Sequence, residues 1–265
     1  MQKRILTEIW IYPVKSLGGV RVTSADVMEK GLRFDRRWML VDEQGKFMTQ
    51  RTTPKMALFK LKPKDSGFAI EFDSVAIDLP MNLTNGGRTI NAQIWDDAVD
   101  VIDEGDNYAL WFSERLGVSC RLVSFPEGNA RLIDPDYRLA DEHVSLADGY
   151  PILVIGEASL ADLNSRLEQP VPMNRFRPNF VFSGGEPFEE DGWKNFLVGK
   201  NRFVGVKPCA RCVLTTVDQS TGEKGREPLL TLSRYRRNGD KILFGQNAIP
   251  IDYHEIHEGD EIELF

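Results

Sequence analysis

The sequence predicts a mainly β protein with a few helices, an α+β chain that opens with an antiparallel β-barrel-like domain. Three observations predict it. Short β-branched and aromatic runs are separated by turn residues, hairpins follow one another without intervening helices over the first hundred residues, and helical spacing is confined to a few segments. "RILTEIWIYPV" reads as a strand that stops or bends at Pro13, which has no N–H to pair. "RRWMLVDEQGKFMTQR" reads as two short strands about a turn at Glu43-Gln44-Gly45, and "FKLKPKDSGFAIEFDSVAIDLP" repeats the pattern with breaks at Asp65-Ser66-Gly67 and Asp73-Ser74. "DNYALWFSERLG" (106–117) sets Leu110, Trp111 and Leu116 near helical spacing between an Asp-Asn start and a Gly stop. A domain boundary is expected just after it, giving domains at 1–120 and 121–265. The second half mixes elements. "YPILVIG", "RPNFVFSG", "NRFVGVKP", "KILFGQNAIP" and "GDEIELF" read as strands, "EASLADLNSRLEQ" and "REPLLTLSRYRRN" as helices.

Composition narrows the function. At 265 residues, 42% hydrophobic and 28% charged, the chain is long enough for a full core without staples. A formal net charge of −7 argues against nucleic acid or an anionic membrane as the main partner and still allows a local basic pocket for a small phosphate. The N-terminus "MQKRILTEIWIYPVKS" carries no signal-peptide pattern, and no apolar run approaches the roughly 20 residues of a membrane span. An odd number of cysteines, three, fits a reducing compartment, so a cytoplasmic location without membrane attachment is expected.

Two of those cysteines form a C-x-x-C in "KPCARCVLTTVD" (207–218). A zinc site needs further ligands, and only Cys120, His143, His254 and His257 remain, the last two spaced so that a strand would send them to opposite faces. A redox pair ordinarily opens a helix, whereas "VLTTVD" is a β-branched run that reads as a strand. Two buried structural cysteines are the third reading. Against it, Arg211 between the thiols and Lys207 before them favour thiolate. "IYPVKS" (11–16), "FDRRW" (34–38), "FRPN" (176–179) and "FGQN" (244–247) each set a cationic or amide side chain beside Pro, Gly or aromatic residues that stiffen the backbone. The residues alone leave all three readings open.

Taken together, "IYPVKSLGG", "GLRFDRRWMLVDEQGKFMTQR", "EASLADLNSRL…NRFRPNFVFSG" and "PCARCVLTTVDQSTGEKGREPLLTLSRYR" resemble the MOSC-domain proteins that carry an N-terminal MOSC-associated β-barrel. This is the family of the mitochondrial amidoxime-reducing component and of the bacterial proteins that detoxify N-hydroxylated bases. The resemblance runs in order from residue 5 to 265 and implies a MOSC β-barrel as the second domain. It further implies a molybdenum–molybdopterin cofactor whose metal takes the second cysteine of the motif, here Cys212, as its catalytic ligand, with Cys209 a neighbour. Cofactor contacts carry over to Lys15 and Ser16, to Arg36 (with Arg37 a competitor for the role), to Arg177 and Asn179, to Arg211, to Asn247, and to the backbone N–H groups of Gly149 and Tyr150.

The activity so implied is reduction of small N-hydroxylated compounds from N–OH to N–H, and the alternative is a cofactor carrier or sulfur-transfer protein using Cys212. Some relatives append a ferredoxin domain. This chain ends at Phe265 with no cysteine beyond 212, so electrons are expected from a separate donor protein of ferredoxin, flavoprotein or cytochrome type. Asp148 reads as a turn carboxylate, His143 as a group titrating near neutrality, and "EPFEEDGW" (186–193) as a solvated loop.

Overall fold

The opening run forms the strand Arg4–Ile11 and stops two residues before Pro13, where the ladder would lose a donor. Its buried residues Leu6 and Ile9 are three apart, which simple alternation forbids. A register shift between Leu6 and Glu8 against the strand Phe180–Ser183 supplies the extra residue and returns Ile9 to the core. In the computed structural model, which describes residues 3–81 and 87–265, this strand pairs at its C-terminal end with Val20–Val22 of its own half, and its main partners come from the second half. It lies between Phe180–Ser183 and Glu261–Leu264, and the ladder continues through Asn195–Val198, Asn201–Ala210, Lys241–Pro250 and Ile152–Gly156 back to Phe180–Ser183. Seven strands thereby close a barrel.

The first half contributes three strands, Trp38–Val41, Asp97–Asp103 and Thr89–Ile94, of an antiparallel half-barrel whose fourth, Arg121–Ser124, lies just past residue 120, and a meander of three, Lys60–Lys64, Gly67–Phe72 and Val75–Pro80. The chain is thus mainly β, as its turn spacing predicts. The turn after Val41 forms with Gly45 at φ 76°. Its return arm pairs with Trp38–Val41 only through a bridge at Phe47, because Lys46 and Phe47 also reach across to Gln93. Among the described residues three α-helices span Asp106–Leu116, Glu157–Ser165 and Leu229–Tyr235, the first closed by Gly117 in the left-handed conformation at φ 76°. One apolar core runs through both halves, taking Trp38, Phe59 and Phe112 from the first and Phe180, Phe196 and Phe203 from the second. Each such ring contributes about 1.5–3 kcal/mol by leaving water, so the halves are held face to face by more than their connecting chain.

Two expectations fail. The β-branched run after Cys212 is not a strand: Val213–Thr216 is a 3-10 turn. The hydroxyls of Thr215 and Thr216 donate to the carbonyls of Cys212 and Val213, at 3.0 and 2.8 Å, and this back-bonding outweighs strand propensity. Nor is 186–193 a solvated loop. Glu190 is fully buried, accepting from Gly156 N and Ser159 Oγ at 3.1 and 2.9 Å at the start of the helix Glu157–Ser165. Glu189 pairs with Arg4, and Asp191 with Arg236. Burial pushes the Glu190 carboxyl up, against those two hydrogen bonds.

Candidate functional site

Three segments singled out in the sequence carry left-handed backbone on residues that have a Cβ. Ser16, Arg36 and Arg177 sit at φ 66°, 50° and 56°, a conformation that costs roughly 1–2 kcal/mol each. Strain of this kind persists only where the surroundings impose it, and it gathers at functional sites. All three residues line one cleft of about 180 Å³. Ser16 is held by Gln50, whose buried amide donates to the Ser16 carbonyl at 2.8 Å and is paired with Gln219. Arg36 is placed by its N–H on the Tyr12 carbonyl (2.9 Å), while Asp35 binds both Tyr12 N (2.8 Å) and the Arg36 guanidinium. Arg37, the competitor, is buried away from the cleft on Glu127 at 2.9 Å.

The guanidinium carbons of Arg36 and Arg177 lie 4.3 and 4.1 Å from the Tyr12 ring centroid, so one aromatic ring screens two like charges. Arg177 donates to the Leu17 carbonyl at 2.7 Å. Burial lowers its pKa to about 10, and Arg36 adds to the effect. Lys15, also buried, donates to the Leu146 carbonyl at 2.7 Å and to Asp148. Burial lowers its pKa to about 8 against the upward pull of Asp148. Burial alone would raise the Asp148 carboxyl, but the Lys15 ammonium holds it well below the usual carboxylate range. Arg131 sets the wall that carries Asp148. Its guanidinium donates to the carbonyls of Ser145 and Ala147 at 3.1 and 2.6 Å and is anchored on Asp97 at 2.7 Å.

The opposite wall holds the cysteines. The strand Asn201–Ala210 slips register against Lys241–Pro250 at Gly205/Lys207 and again at Pro208/Ala210, which ends regular pairing at the motif. Cys212, in extended backbone ahead of the 3-10 turn, exposes its thiol, and Cys209 sits beside it in the cleft wall. Burial raises the Cys209 thiol, partly offset by Arg211 and Asn247. Arg211 is fixed by the carbonyls of Phe244 and Phe176 at 2.8 and 3.0 Å. Gly245, at φ 81° and so close to Ile155 that a Cβ would lie 2.7 Å from its side chain, brings Asn247 to the rim, where its amide donates to the Lys207 carbonyl at 3.2 Å.

The cleft therefore gathers Lys15, Ser16, Arg36, Gly149, Tyr150, Arg177, Asn179, Arg211, Cys212 and Asn247. Asn179 is turned inward: it accepts from Leu153 N and Arg36 and donates to the Trp10 carbonyl, so it orients Arg36. The Tyr150 hydroxyl is buried without a partner among the described residues. His143 is elsewhere, paired with Glu29. Among the described residues no three His, Cys, Asp or Glu side chains gather as a metal cage. Sequence reasoning missed Arg175, which lines the same cleft and pairs with Asp218 at 2.6 Å. Its signal was its place two residues before Arg177 in "NRFRPN".

Charge in the cleft is unbalanced. Among the described residues, Lys15, Arg36 and Arg175 have carboxylate partners, whereas Arg177 and Arg211 have none, and Arg211 Nη2 is buried without a hydrogen-bond partner. Fixed cations, an orphan donor and an exposed thiol suit an anionic group that also takes a thiolate ligand.

Two family models match the sequence, the MOSC N-terminal beta barrel domain over residues 3–119 and the MOSC domain over residues 141–263. The chain belongs to the MOSC-domain proteins. It is 38% identical over 243 residues to mitochondrial amidoxime reducing component 2 of Rattus norvegicus, spanning 87% of this chain and 72% of that one. With mitochondrial amidoxime-reducing component 1 of Homo sapiens it shares 34% over 279 residues, 98% of this chain and 82% of that one. It is also 34% identical over 286 residues to the molybdenum cofactor sulfurase of Oryza sativa subsp. japonica, 96% of this chain but 33% of the sulfurase. In this MOSC chain the cleft draws on both matched segments: Lys15, Ser16 and Arg36 belong to the first, and the rest of its predicted residues to the second.

Proposed function

We propose that this MOSC chain reduces N-hydroxylated compounds to the corresponding N–H compounds, using a molybdenum–molybdopterin cofactor whose metal Cys212 ligates. The observation that carries the reading is the exposed Cys212 in a cleft where Arg177 and Arg211 lack carboxylate partners among the described residues. The same orphan donor and buried cations fit a cofactor bearing a phosphate and a polar pterin. Bound there, the cofactor would supply the two-electron reducing chemistry that no side chain of the cleft provides. Arg177 and Arg211 would neutralise the cofactor's charge, Asn179 keeps Arg36 turned to the same space, and the N–H groups of Gly149 and Tyr150 would bind its oxygens.

The overall balance is R–NHOH + 2 e⁻ + 2 H⁺ → R–NH₂ + H₂O. Burial brings Lys15 Nζ to a pKa of about 8, so it holds a proton that can be released near neutral pH. Asp148, kept ionised by Lys15, serves as a hydrogen-bond acceptor for substrate N–H and not as an acid. The electrons come from a separate redox protein. The test is conversion of benzamidoxime to benzamidine by cofactor-loaded protein, with reduced methyl viologen in place of the donor. Product from wild type and none from Cys212→Ser supports the reading; no product from fully loaded wild type ends it.

Similarity to the rice sulfurase over 96% of this chain favours one second reading, in which Cys212 carries sulfur to a bound cofactor without turnover. Mass spectrometry separates the two, since sulfur transfer requires a persulfide on Cys212 and reduction does not.

A further inference from the structure

Trp95 stands where turn chemistry argues against it. With Asp96 it forms the two-residue turn between Thr89–Ile94 and Asp97–Asp103, closed by the pair Ile94 and Asp97. Turns this tight put positive φ on their central residues and draw Asn, Asp or Gly for that reason. Trp95 adopts φ 54° and remains 45% exposed. Neither local propensity nor complete burial accounts for an indole there, and strain on an exposed aromatic points to a use.

Its contacts lead to the cleft. The indole N–H lies 3.4 Å from Asp148 Oδ1, and Asp148 lines the cleft. The Arg51 guanidinium carbon sits 4.2 Å from the Trp95 ring centroid, and the same guanidinium reaches to 3.6 Å from Asp148 Oδ2. Phe47 braces the indole from below the turn, centroids 5.2 Å apart and planes at 55°. Lys15 completes the group on the same carboxylate. Three donors therefore converge on Asp148, a residue of the cleft lining, and the aromatic among them, which is not itself part of that lining, keeps open surface beside it.

We propose that Trp95, braced by Arg51 and Phe47, is an aromatic shelf on which flat ring substrates stack, so that the chain prefers aromatic to saturated N-hydroxylated compounds. This rests on the reductase reading and names the substrate class for it. A stacked aromatic pair adds about 2- to 12-fold in affinity beyond the area it buries. Asp148, beside the indole, gives the N–H groups of an amidoxime an ionised acceptor next to the ring's resting place.

Benzamidoxime and cyclohexanecarboxamidoxime carry the same reacting group and six-membered rings that differ in flatness. The ratio of their KM values is measured with cofactor-loaded wild type, Trp95→Phe and Trp95→Asn, the last chosen because Asn accepts positive φ. The expected result is a preference for benzamidoxime that falls about fivefold in Trp95→Asn and is largely restored by Phe. An unchanged ratio in Trp95→Asn, or a loss that Phe does not restore, overturns the shelf. Calorimetric binding of both compounds to the oxidised protein needs no turnover. A binding preference lost in Trp95→Asn upholds the shelf even where neither compound is reduced, in which case the reductase reading alone fails. Equal binding of the two compounds by wild type overturns the shelf.

Discussion

In segment 186–193 the chain buries acid and answers it from within. Glu190 takes the free N–H of Gly156 and the Ser159 hydroxyl at a helix start, Glu189 takes Arg4, and Asp191 takes Arg236. In the cleft the chain buries base and leaves the answer incomplete. Arg177 and Arg211 have carbonyls but no carboxylate among the described residues, and Ser16, Arg36 and Arg177 hold strained backbone there. The whole chain is acidic by seven charges, so acid was available to balance this cluster. The contrast is one of charge and not of strain, since Phe188 in 186–193 also holds left-handed backbone at φ 65°: Glu189, Glu190 and Asp191 each find a cation or hydrogen-bond donors and build the fold, whereas cations left without carboxylates mark a site.

Breaking each cluster should therefore cost different things. Arg177→Gly removes one surplus cation and accepts φ 56° without strain. Cofactor affinity is expected to fall roughly 10- to 100-fold, the worth of a hydrogen bond to a charged group, while relief of a buried charge offsets part of the lost Leu17 hydrogen bond and Tyr12 packing, so the thermal midpoint falls only modestly. Molybdenum retained after gel filtration, measured beside the melting curve, reads both. Glu190→Leu should do the reverse. It strands a buried N–H and a hydroxyl, costing roughly 2–3 kcal/mol of stability in urea titrations, and leaves metal retention as in wild type.

A smaller effect sharpens the cleft side. Sulfate, whose charge is constant over the range, should raise the melting temperature by about 2 °C while Lys15 is protonated. That gain shrinks as pH rises through about 8, where the folded chain loses the Lys15 proton, and the decline is absent in Lys15→Met. The sign for the unliganded protein is opposite. Lys15's folded pKa of about 8 lies below the ordinary 10.5, so this group's penalty is full below pH 8 and is relieved as pH rises from 8 to 10.5.

Much of the fold was legible because its signals are local. Gly117 closes a helix, Pro13 ends a strand, and Asp65-Ser66-Gly67 breaks a meander within a few residues of where they stand. Partnerships across the chain were not. Nothing near residue 5 says that Arg4–Ile11 pairs with Phe180–Ser183, and nothing in "EPFEEDGW" announces that Gly156 and Ser159 need a carboxylate. The run after Cys212 misled because two threonine hydroxyls bond back to the main chain, which propensity does not register. The cleft residues were reached through motif resemblance, and the structure brings all ten together. What no motif conveyed was the left-handed backbone of Ser16, Arg36 and Arg177, the inward amide of Asn179, and Trp95 beside Asp148. These depend on loops meeting, not on any one stretch of sequence.

The central claim, that the surplus charge around Cys212 is completed by a molybdenum cofactor, is tested most directly by metal content. Wild type and Cys212→Ser are expressed with the cofactor supplied and measured by inductively coupled plasma mass spectrometry. The account predicts near-stoichiometric molybdenum in wild type and almost none in the variant. Metal-free wild type, or equal metal in both, contradicts it.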